Sequence, residues 1–140
     1  MKLNETLNKV FELNEHIKHF LLKIGYNAEL LEVDKSNPDE NFYSDEFWLL
    51  ADSLAEISAQ IKYLNSPVVA EGTISYKNRH FFIDNVAVKT DTVIEIFNHN
   101  SWHKCYVYEF GNAQEIGDFS VEELKNKKAR RREQLFCTAE

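Results

Sequence analysis

Between Tyr43 and Leu64 the apolar residues Tyr43, Phe47, Leu50, Leu54, Ile57, Ile61 and Leu64 recur at alternating steps of four and three. That rhythm is the seam of an amphipathic helix, and Asp45, Asp52, Glu56, Gln60 and Lys62 occupy its other face. Leu3, Leu7, Val10, Asn14, Ile17, Leu21 and Ile24 repeat the spacing, which predicts a first helix over Leu3–Ile24. Gly25 suits its end, because glycine tolerates positive φ. Matching seams predict that the two helices form an antiparallel hairpin. Asn14 is the one polar residue on the first seam. Such a residue either fixes register or a dimer, or lies at the seam edge bonded to water or backbone. The seam edge is the expectation here.

The segment between the seams divides less cleanly. Ala28–Leu31 reads as a kinked continuation of the helix or as a separate turn, and Lys35–Glu40 as a polar connector. Asn37 with Pro38 forms one helix-start signal, and Ser44 with Asp45 and Glu46 a second. A short turn at Pro38 and a main helix from about Ser44 are expected.

After Asn65-Ser66-Pro67 the period changes to two. Strands are expected at Val69–Tyr76, Arg79–Ile83, Val86–Val88, Val93–Phe97 and Trp102–Phe110, with further strands at Ile116–Phe119 and Ala129–Arg132. Lys77-Asn78, Asp84-Asn85, Lys89–Asp91, Asn98–Ser101 and Gly111-Asn112 supply the turns, and Ser120 caps a helical turn at Val121–Leu124. At least five short strands with tight turns predict a small barrel or strongly bent sheet. The expected fold is therefore α+β: a helical hairpin over 1–66, a small antiparallel SH3-like barrel over 67–133, and a tail over 134–140.

The 140 residues suit one domain or two small layers, and 44% hydrophobic content argues against global disorder. No apolar run approaches a bilayer span, and the N-terminus lacks the apolar core of a signal peptide, so a cytoplasmic protein is expected. Cys105 and Cys137 have no CxxC spacing, which fits a reducing compartment and argues against a disulfide or cysteine-based zinc site. The net charge of −7 is uneven: residues 1–67 carry six Lys against twelve acidic residues, and residues 124–140 carry six basic against two acidic. An acidic body repels phosphates and is attracted to basic surfaces, including those that hold nucleic acid; more commonly such charge serves solubility.

The run YLNSPVVAEGTISYKNRHFFIDNVAVKTDTVIEIFNHNSWHKCYVYE, closing with KKARRRE, resembles an uncharacterised family of small proteins found on mobile genetic elements and phages of Gram-positive bacteria. The resemblance rests on Pro67, Glu71-Gly72, Arg79, the Val93–Ile96 strand, Trp102 and the closing Ala129-Arg130. It implies a helical pair followed by an SH3-like barrel, in a mobile-element protein. The family pattern has glycine near Asp91 and near Lys127, where this chain has none. Several small acidic proteins from that context block host defence nucleases, which implies an anti-CRISPR type of role.

Candidate chemistry is sparse. His16 and His19, with Glu12 and Glu15, lie on adjacent helical turns but lack a third ligand, and read as solvated helix-face residues. His99, His103 and Cys105 cluster around the Trp102 turn and read as ordinary sheet residues. Cys105 in mid-strand lacks the helix-start setting that activates a nucleophile. None of the common catalytic or phosphate-binding motifs occurs, so no enzyme, metal or cofactor is expected.

Two surfaces remain. Asp39, Glu40, Asp45, Glu46, Asp52 and Glu56 would dock on a basic protein surface. The run KNKKARRR offers Lys127, Lys128, Arg130, Arg131 and Arg132, either to phosphates or to internal neutralisation by groups such as Glu122, Glu123 and Glu133. Aromatics on both faces of the sheet would supply a core and, where exposed, a docking strip. The leading expectation is a non-enzymatic protein-binding inhibitor of a nucleic-acid-binding nuclease, with no membrane partner. The alternatives are a nucleic-acid-binding accessory protein and a dimeric assembly module, and the chain is a monomer or homodimer.

Overall fold

The computed structural model describes residues 1–133; the expected tail 134–140, with Cys137, lies outside the described residues. The fold is α+β, in two compact units that divide between Asn65 and Ser66.

The first unit holds α1 (Leu3–Ile24) and α2 (Pro38–Asn65). Gly25 ends α1 as its composition requires: its φ is +87° and its N–H donates to the Leu21 carbonyl at 2.8 Å. The chain then turns rather than continuing the helix. Leu30 N–H reaches back to the Ile24 carbonyl at 2.9 Å, and Ala28 adopts φ +61°.

The start of α2 corrects the expectation of Ser44. Asn37 Oδ1 accepts hydrogen bonds from the N–H groups of Asp39 at 3.0 Å and Glu40 at 3.4 Å, so the helix begins at Pro38. Pro38 at the first helical position costs no hydrogen bond, and Asp39 and Glu40 meet the positive end of the helix dipole.

Buried Ile17, Leu21 and Ile24 of α1 cluster with Ala28 and with Ala51 and Ile61 of α2, flanked by Val10, Phe11, Leu31, Leu54 and Ala55. The face of α2 that joins this cluster is therefore turned from the expected seam. Tyr43, Leu50, Ile57 and Leu64 are exposed at 58%, 47%, 44% and 50%, whereas Ala51 is fully buried. Asn14 is buried rather than bonded to water or backbone at a seam edge, and its Oδ1 has no hydrogen-bond partner among the described residues.

The second unit is one antiparallel sheet of seven strands: β1 (Val68–Lys77), β2 (His80–Ile83), β3 (Val86–Ala87), β4 (Thr92–Asn98), β5 (Ser101–Phe110), β6 (Ala113–Ile116) and β7 (Lys128–Arg132). Their order is β3-β2-β1-β7-β4-β5-β6. One short helix, α3 (Val121–Leu124), precedes β7 and is capped by Ser120, whose Oγ accepts from the Glu123 N–H at 3.2 Å.

Four hairpins close with two residues that both have positive φ: Asn78-Arg79, Asp84-Asn85, His99-Asn100 and Gly111-Asn112. These are the turns whose twist matches paired strands, and Asn and Asp tolerate them best. Arg79 is consequently a turn residue, not the first residue of the second strand. The glycines missing near Asp91 and Lys127 are replaced in the same sense, with Asp91 at φ +63° and Asn126 at φ +62°. The expected strand Ile116–Phe119 is corrected to β6, leaving only a single bridge between Ile116 and Phe119.

The inner face of the sheet forms the second core: Ile74, Phe81, Ile83, Val88, Ile94, Ile96, Cys105, Val107, Ile116, Leu124 and Ala129. The sheet curls until strands near its two flanks meet at Gln114 of β6. Its backbone N–H donates to the Arg79 carbonyl at 2.9 Å, and its Oε1 accepts from Phe81 N–H at 2.7 Å. Its Nε2 donates to the Val88 carbonyl at 2.8 Å and the Thr90 hydroxyl at 3.1 Å. One buried side chain thus satisfies the groups that a closing sheet would otherwise strand.

Candidate partner-binding surface

Helix geometry sorts the exposed part of α2 into rows. Because residues three and four apart are neighbours, Phe42, Asp45, Leu49, Asp52 and Glu56 form a continuous line, with Glu46 and Trp48 beside it. All seven are exposed. Among the described residues no cation forms an ion pair with Asp45, Glu46, Asp52 or Glu56. The row therefore combines uncompensated negative charge with large apolar side chains, a combination suited to a protein surface that is both basic and apolar. Asp39 and Glu40 belong to the same helix but lie in its first turn, where the dipole and the Asn37 cap give them a structural role.

The basic run is used differently. Arg130 Nε and Nη2 donate to Glu95 Oε1 at 2.9 and 2.7 Å, and Arg132 Nε donates to Glu95 Oε2 at 2.7 Å. Glu95 is only 5% exposed. Arg132 Nη1 also donates to the Ser66 carbonyl at 2.8 Å, and the Arg130 guanidinium lies 4.2 Å from the Trp102 ring centroid. The register explains the meeting, since Arg130 stands opposite Glu95 in the β4–β7 ladder. Internal neutralisation of Arg130 and Arg132 thus falls on Glu95, while Lys125 of the same run pairs with Glu122 at 3.1 Å, as expected. Lys127 Nζ donates to Asn98 Oδ1 at 2.8 Å, Lys128 is exposed, and Arg131 is half-buried.

The sheet aromatics divide as their alternation dictates. Phe81 is core and meets exposed Tyr76 in a tilted contact at 4.7 Å between centroids, while Phe97 and Trp102 meet edge to face at 5.2 Å on the other surface. Tyr106 donates its hydroxyl to Asp91 at 2.9 Å, and Tyr108 to Glu115 at 2.7 Å. An open groove of about 490 Å³ over Ile74, Tyr76, Phe81 and Leu124 is rimmed by the paired Glu122 and Lys125.

The remaining candidates stay apart. His16 and His19 are exposed on α1. His103 Nε2 bonds the Asn98 carbonyl at 3.0 Å, which ties it to its own turn. Cys105 is buried on the core face; burial, with a smaller contribution from Asp118, pushes its thiol above the ordinary value, opposite to what a nucleophile needs. Among the described residues, no three His, Cys, Asp or Glu side chains converge on a metal-sized site. No helix among them is long and apolar enough to cross a membrane.

Two residues central to the structure were missed from sequence. Glu95 carried a signal, as the lone carboxylate in the apolar run Val93–Ile96. Gln114 carried none, because its role depends on a sheet closure that period-two alternation does not encode. Compared with protein-family models, with curated proteins and with solved structures, the chain matches none.

Proposed function

We propose that the protein is a non-enzymatic binding module whose α2 row Phe42–Asp45–Leu49–Asp52–Glu56 docks on a basic, partly apolar surface of a protein partner. The observation that carries this reading is the pairing of exposed acids, without cationic partners among the described residues, with exposed Phe42, Trp48 and Leu49 on one helix face. Desolvated apolar contacts would supply affinity, and the carboxylates orientation and association rate.

A nucleic-acid-binding protein presents the complementary surface, and a defence nuclease of the CRISPR effector type is the partner class favoured by the resemblance to mobile-element proteins. Occupying its phosphate-binding surface would inhibit it by competition. Direct nucleic-acid binding by Arg130 and Arg132 has less support, because both guanidiniums are engaged with Glu95. The test is competition: the wild-type protein should reduce nucleic-acid binding by its partner, and a variant carrying Asp45→Lys, Asp52→Lys and Glu56→Lys should not. Undiminished competition by that variant would sink the reading.

A further inference from the structure

A second row on α2 is distinct from the acidic one. Tyr43, Leu50, Ile57 and Leu64 follow each other at steps of seven, and all four are about half exposed. The face of α2 turned to α1 is a different one, formed by Ala51, Leu54 and Ile61. A helix row with heptad spacing fits another helix of the same spacing, because only that partner keeps knobs and holes in step over several turns. The row spans 43 to 64, about 30 Å at 1.5 Å per residue.

The flank of this row favours a second copy of the same helix. On the side away from α1 it is bordered by Glu46, Ser53 and Gln60, a single charge in a chain whose net charge is −7. The row also has the same spacing from either end. In an antiparallel pair, Leu50 of one copy meets Ile57 of the other, and Tyr43 meets Leu64. Glu46 then faces Gln60, whose amide can donate to it, and Ser53 faces Ser53, so no like charges meet. A parallel pair would set Glu46 beside Glu46. The geometry points to a two-fold, antiparallel homodimer through the Leu50–Ile57 row of α2.

Glu46 flanks both rows, but the two proposals separate on the rest: the dimer uses Leu50, Ile57 and Gln60, and the docking row uses Asp45, Asp52 and Glu56, whose triple variant leaves Glu46 in place. Sedimentation equilibrium of the full chain over a wide concentration range tests it. The expected result is a dimer mass that falls to monomer in Leu50→Glu/Ile57→Glu, with unchanged helical circular dichroism. Gln60→Glu, an exposed change that leaves the fold intact, sets an acid against Glu46 and should weaken association several-fold at low salt. Adding Glu46→Lys should restore it. A monomer mass at every concentration, or a dimer insensitive to both Leu50→Glu/Ile57→Glu and Gln60→Glu, would overturn the inference.

Discussion

Gln114 and Phe81 stand 33 residues apart in the chain, and the Oε1 of one takes the backbone N–H of the other at 2.7 Å. Gln114 is 3% exposed and also donates to the Val88 carbonyl. The curled sheet is therefore held at its flanks by the Gln114 side chain together with its backbone N–H on the Arg79 carbonyl, not by a continuous ladder.

Replacing that amide leaves Phe81 N–H and the Val88 carbonyl without their partner. Gln114→Leu should lower unfolding stability by about 3 kcal/mol, since each stranded buried group costs roughly 1–3 kcal/mol. Urea denaturation measures it. Gln114→Glu at neutral pH should cost at least as much, because the carboxylate can accept from Phe81 but cannot donate to Val88.

The Glu95 cluster predicts an asymmetry. Glu95→Leu strands two guanidiniums and should destabilise by about 3 kcal/mol, whereas Glu95→Leu/Arg130→Met/Arg132→Met should recover most of the loss. A double-mutant cycle on Glu95 and Arg130 reads the coupling directly. The account fails here if the triple variant is as unstable as the single one.

Arg79 holds φ +66° in the turn between β1 and β2, a conformation that glycine adopts without strain. Arg79→Gly should stabilise by about 0.5–1 kcal/mol, seen as a rise in melting temperature. Gly72→Ala should act in the opposite direction, because a Cβ there would lie 2.5 Å from the Asp84 Cβ.

The hydroxyls of Tyr106 and Tyr108 need their protons to bond Asp91 and Glu115. Those hydrogen bonds first, then desolvation and the carboxylate charges, raise both pKa values above the ordinary 10.0. A raised folded value means that their contribution to stability is fully present below pH 10 and is lost as pH rises through the folded values. Absorbance at 295 nm should show an ionisation phase above pH 10 that Tyr106→Phe/Tyr108→Phe removes.

What the sequence revealed follows from how local each cause is. The span of α1, the Gly25 end, the Ser120 cap and most strands depend on neighbours within a few residues, and these were readable. The start of α2 was not, because the Asn37–Pro38 and Ser44 signals compete and the winner depends on the Asn37 side chain reaching two N–H groups. The rotation of α2 was misread because the four-three seam marks the largest apolar residues, while α1 packs against small Ala51 and leaves Leu50 and Ile57 outside. That difference also changed the candidate surface. The acids were expected on a polar face, yet Asp45, Asp52 and Glu56 share their row with Phe42 and Leu49. The partner of Arg130 and Arg132 was not legible, because Glu95 lies 35 residues from Arg130 and only strand pairing brings it there.

The central claim is that the acidic and apolar row of α2 recognises a basic protein surface. Its most direct test is affinity capture from a bacterial lysate, run with and without nuclease treatment. Wild-type protein is compared with a variant carrying Asp45→Lys, Glu46→Lys, Asp52→Lys and Glu56→Lys, followed by binding of the purified captured protein to each. The account predicts a basic, nucleic-acid-binding partner retained by the wild type at low salt and lost with the variant. Equal retention by both, or capture that disappears once nucleic acid is digested, would contradict it.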